Sequence, residues 1–317
     1  MAVVLRSVLL VLTLGVWGAW AQVPDVTARV LIVSSDTAAA YTQTAEALTD
    51  HLVRQGIARV DIVQSLATEL AARFKSGQPP RPNVYVALGS EATQLLAASG
   101  TQAPVLSALI PRRSFERIVR SQGKTVSARL SAIYLDQPLA RQLALVRLAL
   151  PQAKRLGVLW GAESADRATG LRPLVTANGL ELQETRVTQA DDLPLALAQV
   201  LGGSDVLLAL ADPAIYNSNT LQNILMSSFR ARVPLVAFSP AYVRAGAVLA
   251  LYTTPLQAGQ QAAELVLGVL RGKSLPDHVL EPNDFEVGVN AHVARVLDLT
   301  LDAQALRLAL RRLERLP

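Results

Sequence analysis

Cysteine is absent from the 317-residue chain. No disulfide can therefore staple the fold in an oxidising compartment, and no thiol is present for lipid attachment. Histidine is scarce as well. His51, His278 and His292 fall on a helix, in a loop and in a near-terminal segment, with no carboxylate or second histidine at ligand spacing, so surface or packing roles suit them better than a metal site. Aromatic residues make up 4% of the chain, and the net charge of +5 is scattered, without the stacking side chains of a single-strand nucleic-acid binder. The densest basic group, Arg307, Arg311, Arg312 and Arg315, sits on a leucine-rich terminal helix and reads as a solvated face. No Gly-x-Ser-x-Gly elbow, Walker A loop, Gly-x-Gly-x-x-Gly turn or His-Glu-x-x-His helix occurs. Asp191-Asp192 reads as a helix-initiating pair and not as an acid/base dyad. These absences point away from an enzyme, a bound cofactor, a metal ion and a nucleic-acid partner.

What is present begins with an export signal. Arg6 supplies a positive start, Val8 to Val16 an apolar run, and Ala19-Trp20-Ala21 a small-x-small cleavage site, so residues 1–21 read as a signal peptide and the mature chain as starting at Gln22. The run is too short, and too soon followed by Gln22, Pro24 and Asp25, to persist as a span of about 20 residues. No later segment reaches about 18 uninterrupted apolar residues. The expectation is a periplasmic protein, not a lipoprotein and not membrane-spanning after cleavage.

Hydrophobic residues make up 51% of the sequence, and the length left after cleavage exceeds the ~100 to 150 residues that one core organises. Two lobes are expected. Short apolar runs alternate with helix-period segments: Val30–Val33, Val60–Val63, Val84–Leu88 and Val105–Leu109, then Leu156–Trp160, Leu182–Val187, Val206–Leu210, Leu235–Phe238 and Val248–Leu251. That alternation predicts βαβ units and two parallel sheets, hence an α/β protein with two Rossmann-like lobes joined by a hinge. The extended stretch Ala128–Leu135, leading through Asp136-Gln137-Pro138 into a helix ending near Leu150, is the expected first crossing. The helix Gln257–Leu270 and the late strand Phe285–Val289 are assigned back to the first lobe. The expected division is 22–134 with 253–317 for the first lobe and 135–252 for the second.

In open parallel sheets, ligands bind beyond the carboxyl ends of the strands, where loops feed helix N-termini. The loops at those positions supply the candidate ligand contacts Ser35, Gly89, Ser90, Glu91, Arg112, Asp212, Ser239 and Tyr242. Gly89 lets the backbone approach a ligand, while Ser90 either caps the next helix or offers its hydroxyl to a carboxylate. Asp212, before Pro213, either receives a ligand amine or caps its own helix. Ser239 and Tyr242 offer a hydroxyl and a ring, with core packing the alternative for Tyr242. Arg112, beside Arg113, either clamps an anion or is a solvated pair.

The stretch Asp212 to Tyr252, with Pro234-Leu235-Val236-Ala237-Phe238-Ser239 and Ala245-Gly246-Ala247-Val248-Leu249-Ala250, resembles the periplasmic substrate-binding proteins of the tryptophan/tyrosine ABC transporter type. Val289-Asn290 followed by Val293-Ala294 matches as well. The resemblance implies the type I periplasmic-binding-protein fold, with the ligand between the lobes touching Gly89 and Ser90 on one side and Asp212 and Ser239 on the other. The chain departs from the family at Pro111-Arg112-Arg113, where many members carry Asp-Pro, and at Ala128-Arg129-Leu130-Ser131, where many carry Gly-Gly-Asn-x-Thr-Gly. An aromatic ligand therefore does not follow from the resemblance. The implied function is the solute-binding component of an uptake system for a small, amino-acid-like molecule, docking on an inner-membrane permease. The alternative is a sensory or interaction module that uses the same fold to engage a membrane partner.

Overall fold

A computed structural model describes residues 29–314. The expected signal peptide lies outside the described residues. The first half alternates strand and helix: β1 Val30–Ser34, α1 Ala39–Arg54, β2 Ile62–Leu66, α2 Ala67–Lys75, β3 Val84–Leu88, α3 Ser90–Ala98, β4 Val105–Ile110, α4 Arg112–Ser121 and β5 Leu130–Tyr134. The five strands form one parallel sheet in the order β2-β1-β3-β4-β5. Alternate residues of each strand feed opposite faces. Val30 and Ile32 pack with Leu48, Leu52, Ala262 and Val266, whereas Leu31 and Val33 pack with Leu70, Leu96 and Phe115. Both faces are covered, which is why these strands read as unbroken apolar runs rather than as alternations.

The second half repeats the plan with α5 Leu139–Ala149, β6 Arg155–Trp160, α6 Ala168–Ala177, β7 Glu181–Arg186, α7 Leu193–Gly203, β8 Val206–Leu208, α8 Leu221–Arg230, β9 Leu235–Ala237, α9 Pro240–Ala245 and β10 Leu249–Tyr252. The remaining elements are α10 Pro255–Leu270, β11 Glu286–Val289, α11 Ala291–Val296 and α12 Ala303–Glu314. The second sheet runs β11-β10-β9-β8-β6-β7 and is parallel except at β11.

Two expectations need correction. The stretch Ala128–Leu135 is not only a crossing: its residues Leu130–Tyr134 are the fully buried fifth strand of the first sheet, and the crossing itself is confined to 135–138. The late strand, assigned to the first lobe, instead pairs antiparallel with β10, Leu249 opposite Val289 and Tyr252 opposite Glu286. Helix α12 follows it, with Leu306 and Leu310 packed into the second lobe beside Val146 and Phe285. Only α10 returns to the first lobe, where Ala262, Ala263 and Val266 pack against Ala45 and Leu48 of α1. The segment after it continues alongside β5, exchanging Tyr134 N–H to Leu280 O and Leu280 N–H to Ala132 O, both at 2.8 Å. The chain therefore passes between lobes three times, at 135–138, at Thr253-Thr254 and within 281–285.

Amide side chains tie these crossings together. Gln137 Nε2 donates to Thr253 Oγ1 at 2.6 Å, Arg141 Nη1 donates to Gln137 Oε1 at 2.7 Å and to Pro282 O at 2.9 Å, and Gln261 Nε2 donates to Glu281 O at 3.0 Å. The Arg141 guanidinium also lies 4.8 Å from the centre of the Phe285 ring. Among the described residues no helix is long and apolar enough to cross a membrane.

Candidate functional site

Each sheet has one place where neighbouring strands send their following loops to opposite faces. Such a switch point opens a crevice at the carboxyl edge, and a sheet of order 2-1-3-4-5 has it between strands 1 and 3. In the first lobe that crevice lies between the loops after β1 and β3, and in the second between the loops after β6 and β8. Ser35, Gly89 and Ser90 border the first. Asp212 borders the second, across from Gly161–Ser164.

Ser35 stitches the first crevice. Its hydroxyl donates to Leu88 O at 2.8 Å and accepts from the Ala92 N–H at 2.9 Å. It therefore caps α3 from 57 residues away, one of the two roles open to Ser90. Ser90 instead opens α3, half-buried, and its hydroxyl makes no hydrogen bond among the described residues. Gly89 has φ +87° and ψ −178°, a region that side-chain-bearing residues avoid. A methyl there would stand 2.7 Å from Tyr41 Cε1 and 2.8 Å from Ser35 Oγ. Glu91 is exposed; burial first, then the charges of Asp36 and Glu91, raise the Tyr41 phenol pKa.

Asp212 stitches the second crevice. Its Oδ2 accepts from the Glu163 N–H at 3.0 Å and from Ser164 Oγ at 2.8 Å, and its Oδ1 accepts from the Ala214 N–H at 3.0 Å. The carboxylate is 1% exposed and lies so close to the Gly161 backbone that a methyl on that residue would meet Oδ2 at 2.5 Å. Pro213 does not start a helix as expected. Residues 212–220 form turns, and α8 begins only at Leu221.

Tyr242 takes the packing role: its hydroxyl donates to Tyr216 O at 3.0 Å and its ring lies 4.8 Å from Phe238. Tyr216, edge-on to both rings, was not anticipated. It is buried, its hydroxyl has no partner among the described residues, and burial, with Tyr242 and Asp212 nearby, raises its pKa far above the ordinary tyrosine value. The sequence signal for it is weak, one tyrosine four residues beyond Asp212 in a turn. Ser239 caps α9 by backbone geometry, with Pro240 at the first helical position, and its hydroxyl makes no hydrogen bond among the described residues.

Arg112 reaches across to the other lobe. Its Nη2 donates to Asp166 Oδ2 at 2.7 Å, its Nη1 to Glu116 Oε1 at 2.8 Å, and its backbone N–H to Asp136 Oδ2 at 2.7 Å. Burial alone would lower its pKa, but the Asp166 hydrogen bond and the charges of Glu116, Asp166 and Asp136 outweigh it and raise the value. This contact places the carboxyl edges of the two sheets opposite each other, with Ser90 and Ser239 at helix N-termini on either side. A separate polar recess of about 470 Å³, lined by Gln257, Gln261, Asn283, Asp284, Phe285 and Arg311, lies at the hinge, away from those edges. No group of three or more potential metal ligands is assembled among the described residues.

A family model described as ABC transporter substrate binding protein matches residues 26–312. A tyrosine-binding protein of Clostridioides difficile (strain R20291) is 22% identical over 237 residues, which is 73% of this chain and 66% of that protein, just under two thirds of its length. Three solved structures share the fold. A ligand-free, open substrate-binding protein with adhesive properties from Clostridium difficile aligns with a TM-score of 0.70 at 18% identity, covering 86% of this chain and 96% of the other. An ABC domain in complex with L-Trp from Streptococcus pneumonia aligns at 0.61 and 15%, covering 88% and 97%. A conserved domain protein from Vibrio cholerae aligns at 0.60 and 20%, covering 89% and 98%. The two-lobed type I periplasmic-binding-protein fold expected from the sequence is the fold observed.

Proposed function

The chain belongs to the ABC transporter substrate-binding protein family, and from that premise we propose that it is the extracytoplasmic receptor of an uptake system, capturing an amino-acid-like ligand between its lobes. The observation that carries the reading is that the carboxyl edges of the two sheets face each other across one cleft, with an uncommitted serine hydroxyl at each edge, Ser90 at the start of α3 and Ser239 just before α9. In this reading the Ser90 hydroxyl and the first N–H groups of α3 receive the ligand carboxylate, since both donate and the helix end favours negative charge. Ser239 and the ring group of Phe238 and Tyr242 contact the rest of the molecule from the second lobe. Asp212 orders the loops that shape the second crevice, and Arg112 acts through lobe closure. The names of the tyrosine-binding relative and of the L-Trp complex support an amino-acid ligand without fixing which one.

Hinge closure buries the ligand, and the closed form docks on a permease of the inner membrane. Residues 1–21 direct export to the periplasm and are then removed. The family match favours this reading over the sensory or interaction module, which no observation singles out. The test is a thermal-shift screen of residues 22–317 against amino acids, sugars, nucleobases and small anions. A ligand at 100 times its Kd adds about 2.7 kcal/mol of stability. A shift with amino acids that falls about three- to tenfold in affinity on Ser90→Ala and on Ser239→Ala supports the proposal. A shift confined to sugars or nucleobases, or none at all, refutes it.

A further inference from the structure

We propose that Arg112 and Arg117 of the first lobe, with Asp166 and Glu163 of the second, form an electrostatic latch that sets how far the cleft opens, and that Asp136 connects this latch to the hinge. The inference rests on the cleft being the ligand site, and it makes these side chains positioning residues that act through closure.

The first α4 turns carry Arg112, Arg113, Glu116 and Arg117. That spacing gathers all four on one helix face. The face meets the turn 163–167 after β6: Arg112 Nη2 lies 2.7 Å from Asp166 Oδ2, Arg113 Nη1 lies 3.8 Å from the same oxygen, and Arg117 Nη1 lies 2.7 Å from Glu163 Oε1. Glu116, on the same face, steadies the Arg112 fork at 2.8 Å, so it is the second guanidinium arm that crosses to the other lobe.

The strand feeding α4 is irregular just before this face. Leu109 has φ +51°, and the β4–β5 register shifts between Ser107 and Ile110. An irregularity of this kind re-aims the side chains that follow it. Pro111, at the N-terminal flank of α4, caps nothing with its side chain. Asp136, in the first crossing, supplies that cap by accepting the Arg112 N–H at 2.7 Å, while its other oxygen pairs at 3.3 Å with Arg167, a nearly buried cation of the second lobe. A single carboxylate in the hinge thus contacts the helix that bears one half of the latch and the turn that bears the other.

Opening the cleft carries α4 away from residues 163–167, so these pairs exist only when the lobes are together. They favour the closed arrangement before any ligand contact is counted, and a ligand then shifts an equilibrium already biased toward closure. Partly exposed pairs of this type change an equilibrium about two- to fivefold each. The Arg112–Asp166 pair, 24% and 38% exposed, should be the stronger, and the Arg117–Glu163 pair, 62% and 28% exposed, the weaker.

Because the chain has no cysteine, cysteines introduced at the exposed positions Gln94 on α3 and Gln199 on α7 give one spin-label site per lobe. Pulsed dipolar spectroscopy of the labelled protein without ligand then reads the closed-to-open ratio directly. We expect the ratio to fall as salt rises from about 0.1 M to about 1 M, where the screening length drops from about 10 Å to about 3 Å. Asp166→Asn with Glu163→Gln should lower it about tenfold at low salt. Glu163→Arg alone should open the cleft, and adding Arg117→Glu should restore closure, a rescue that a merely structural role would not give. A ratio unchanged within about twofold in the double variant, or no rescue by the exchanged pair, overturns the latch. The distances are measured without ligand, so a failed ligand screen would strike the proposed function alone.

Discussion

Asp212→Ala removes a carboxylate that is 1% exposed and accepts three hydrogen bonds of 2.8 to 3.0 Å. Hydrogen bonds to a charged group contribute about 1.5 to 3 kcal/mol each, while burying the charge itself offsets part of that sum. Alanine leaves the N–H groups of Glu163 and Ala214 and the Ser164 hydroxyl without their acceptor, so the expected loss is about 3 to 4 kcal/mol. Asparagine keeps the shape and one oxygen. Turned toward Glu163 and Ser164, that oxygen preserves two of the three contacts and sets an NH2 against the Ala214 N–H, for an expected loss of about 1 to 2 kcal/mol. The reporter is built in: of the three tryptophans, Trp17 and Trp20 precede Gln22, leaving Trp160 at the end of β6, one residue before Gly161. With a urea m-value of about 2 kcal/mol/M, the Trp160 fluorescence midpoint should fall by about 1.5 to 2 M for alanine and by less than about 1 M for asparagine. An alanine midpoint within about 0.3 M of the parent, together with a tenfold loss of ligand affinity, would make Asp212 a ligand contact and refute the structural account.

Gly89→Ala should lower the thermal midpoint by several degrees, because a methyl at φ +87° meets Tyr41 and Ser35 below 3 Å; backbone strain alone costs about 1 to 3 kcal/mol, and an unchanged melting scan would contradict this. Ser35→Ala should cost about 1 to 2 kcal/mol in urea unfolding and expose the Ala92 amide to faster hydrogen exchange, since the hydroxyl is the cap of α3. Asp205 hydrogen-bonds the Arg155 side chain and the backbone N–H groups of Lys154 and Arg155, which hold its carboxyl below the ordinary aspartate pKa of about 3.9 against a partial burial penalty. A depressed folded pKa means the contribution is complete above that ordinary value and is lost as pH falls through the folded one. Asp205→Asn should therefore flatten the stability-versus-pH curve below about pH 4, which acid titration of the unfolding midpoint would check.

The sheets were legible because their strands are buried on both faces. Val84–Leu88 coincides with β3, and Val105–Leu109 falls one residue short of β4. The edge strands read less well. The second run, expected at Val60–Val63, is a single helical turn at Arg59–Asp61 followed by β2 at Ile62–Leu66, an edge strand whose incompletely buried Gln64 and Ser65 bond to Thr49 of α1 and Glu69 of α2 and break the apolar pattern. The four-residue β11 was seen as a strand, but its partner was not. Antiparallel pairing with β10 depends on the third crossing, which the sequence shows only as a stretch without periodicity. The candidate site was legible at the level of loops, since Ser35, Gly89, Ser90, Asp212 and Ser239 do stand at the carboxyl edges. Their partners were not, because the bonds that occupy them join residues far apart in the chain: Ser35 with Ala92, Asp136 with Arg112, and Asp212 with Ser164.

Those remote bonds divide the labour at the cleft. Three charged groups at the edges are already committed: Asp212 to three donors of its own lobe, Arg112 to Asp166 and Glu116, and Arg167 to Asp136. Two neutral groups at the edges, the hydroxyls of Ser90 and Ser239, make no hydrogen bond among the described residues, and the exposed Glu91 carboxylate beside Ser90 has no ion-pair partner among them. A buried charge released from its partner costs far more than an unpaired hydroxyl, so in the proposed reading a ligand would gain little by competing for Asp212, Arg112 or Arg167 and more by meeting the serines. Substitutions among the charges should then change how often the cleft is closed while scaling all ligands alike. Substitutions at Ser90 or Ser239 should change which ligand is preferred while leaving the closed-to-open ratio of the empty protein untouched.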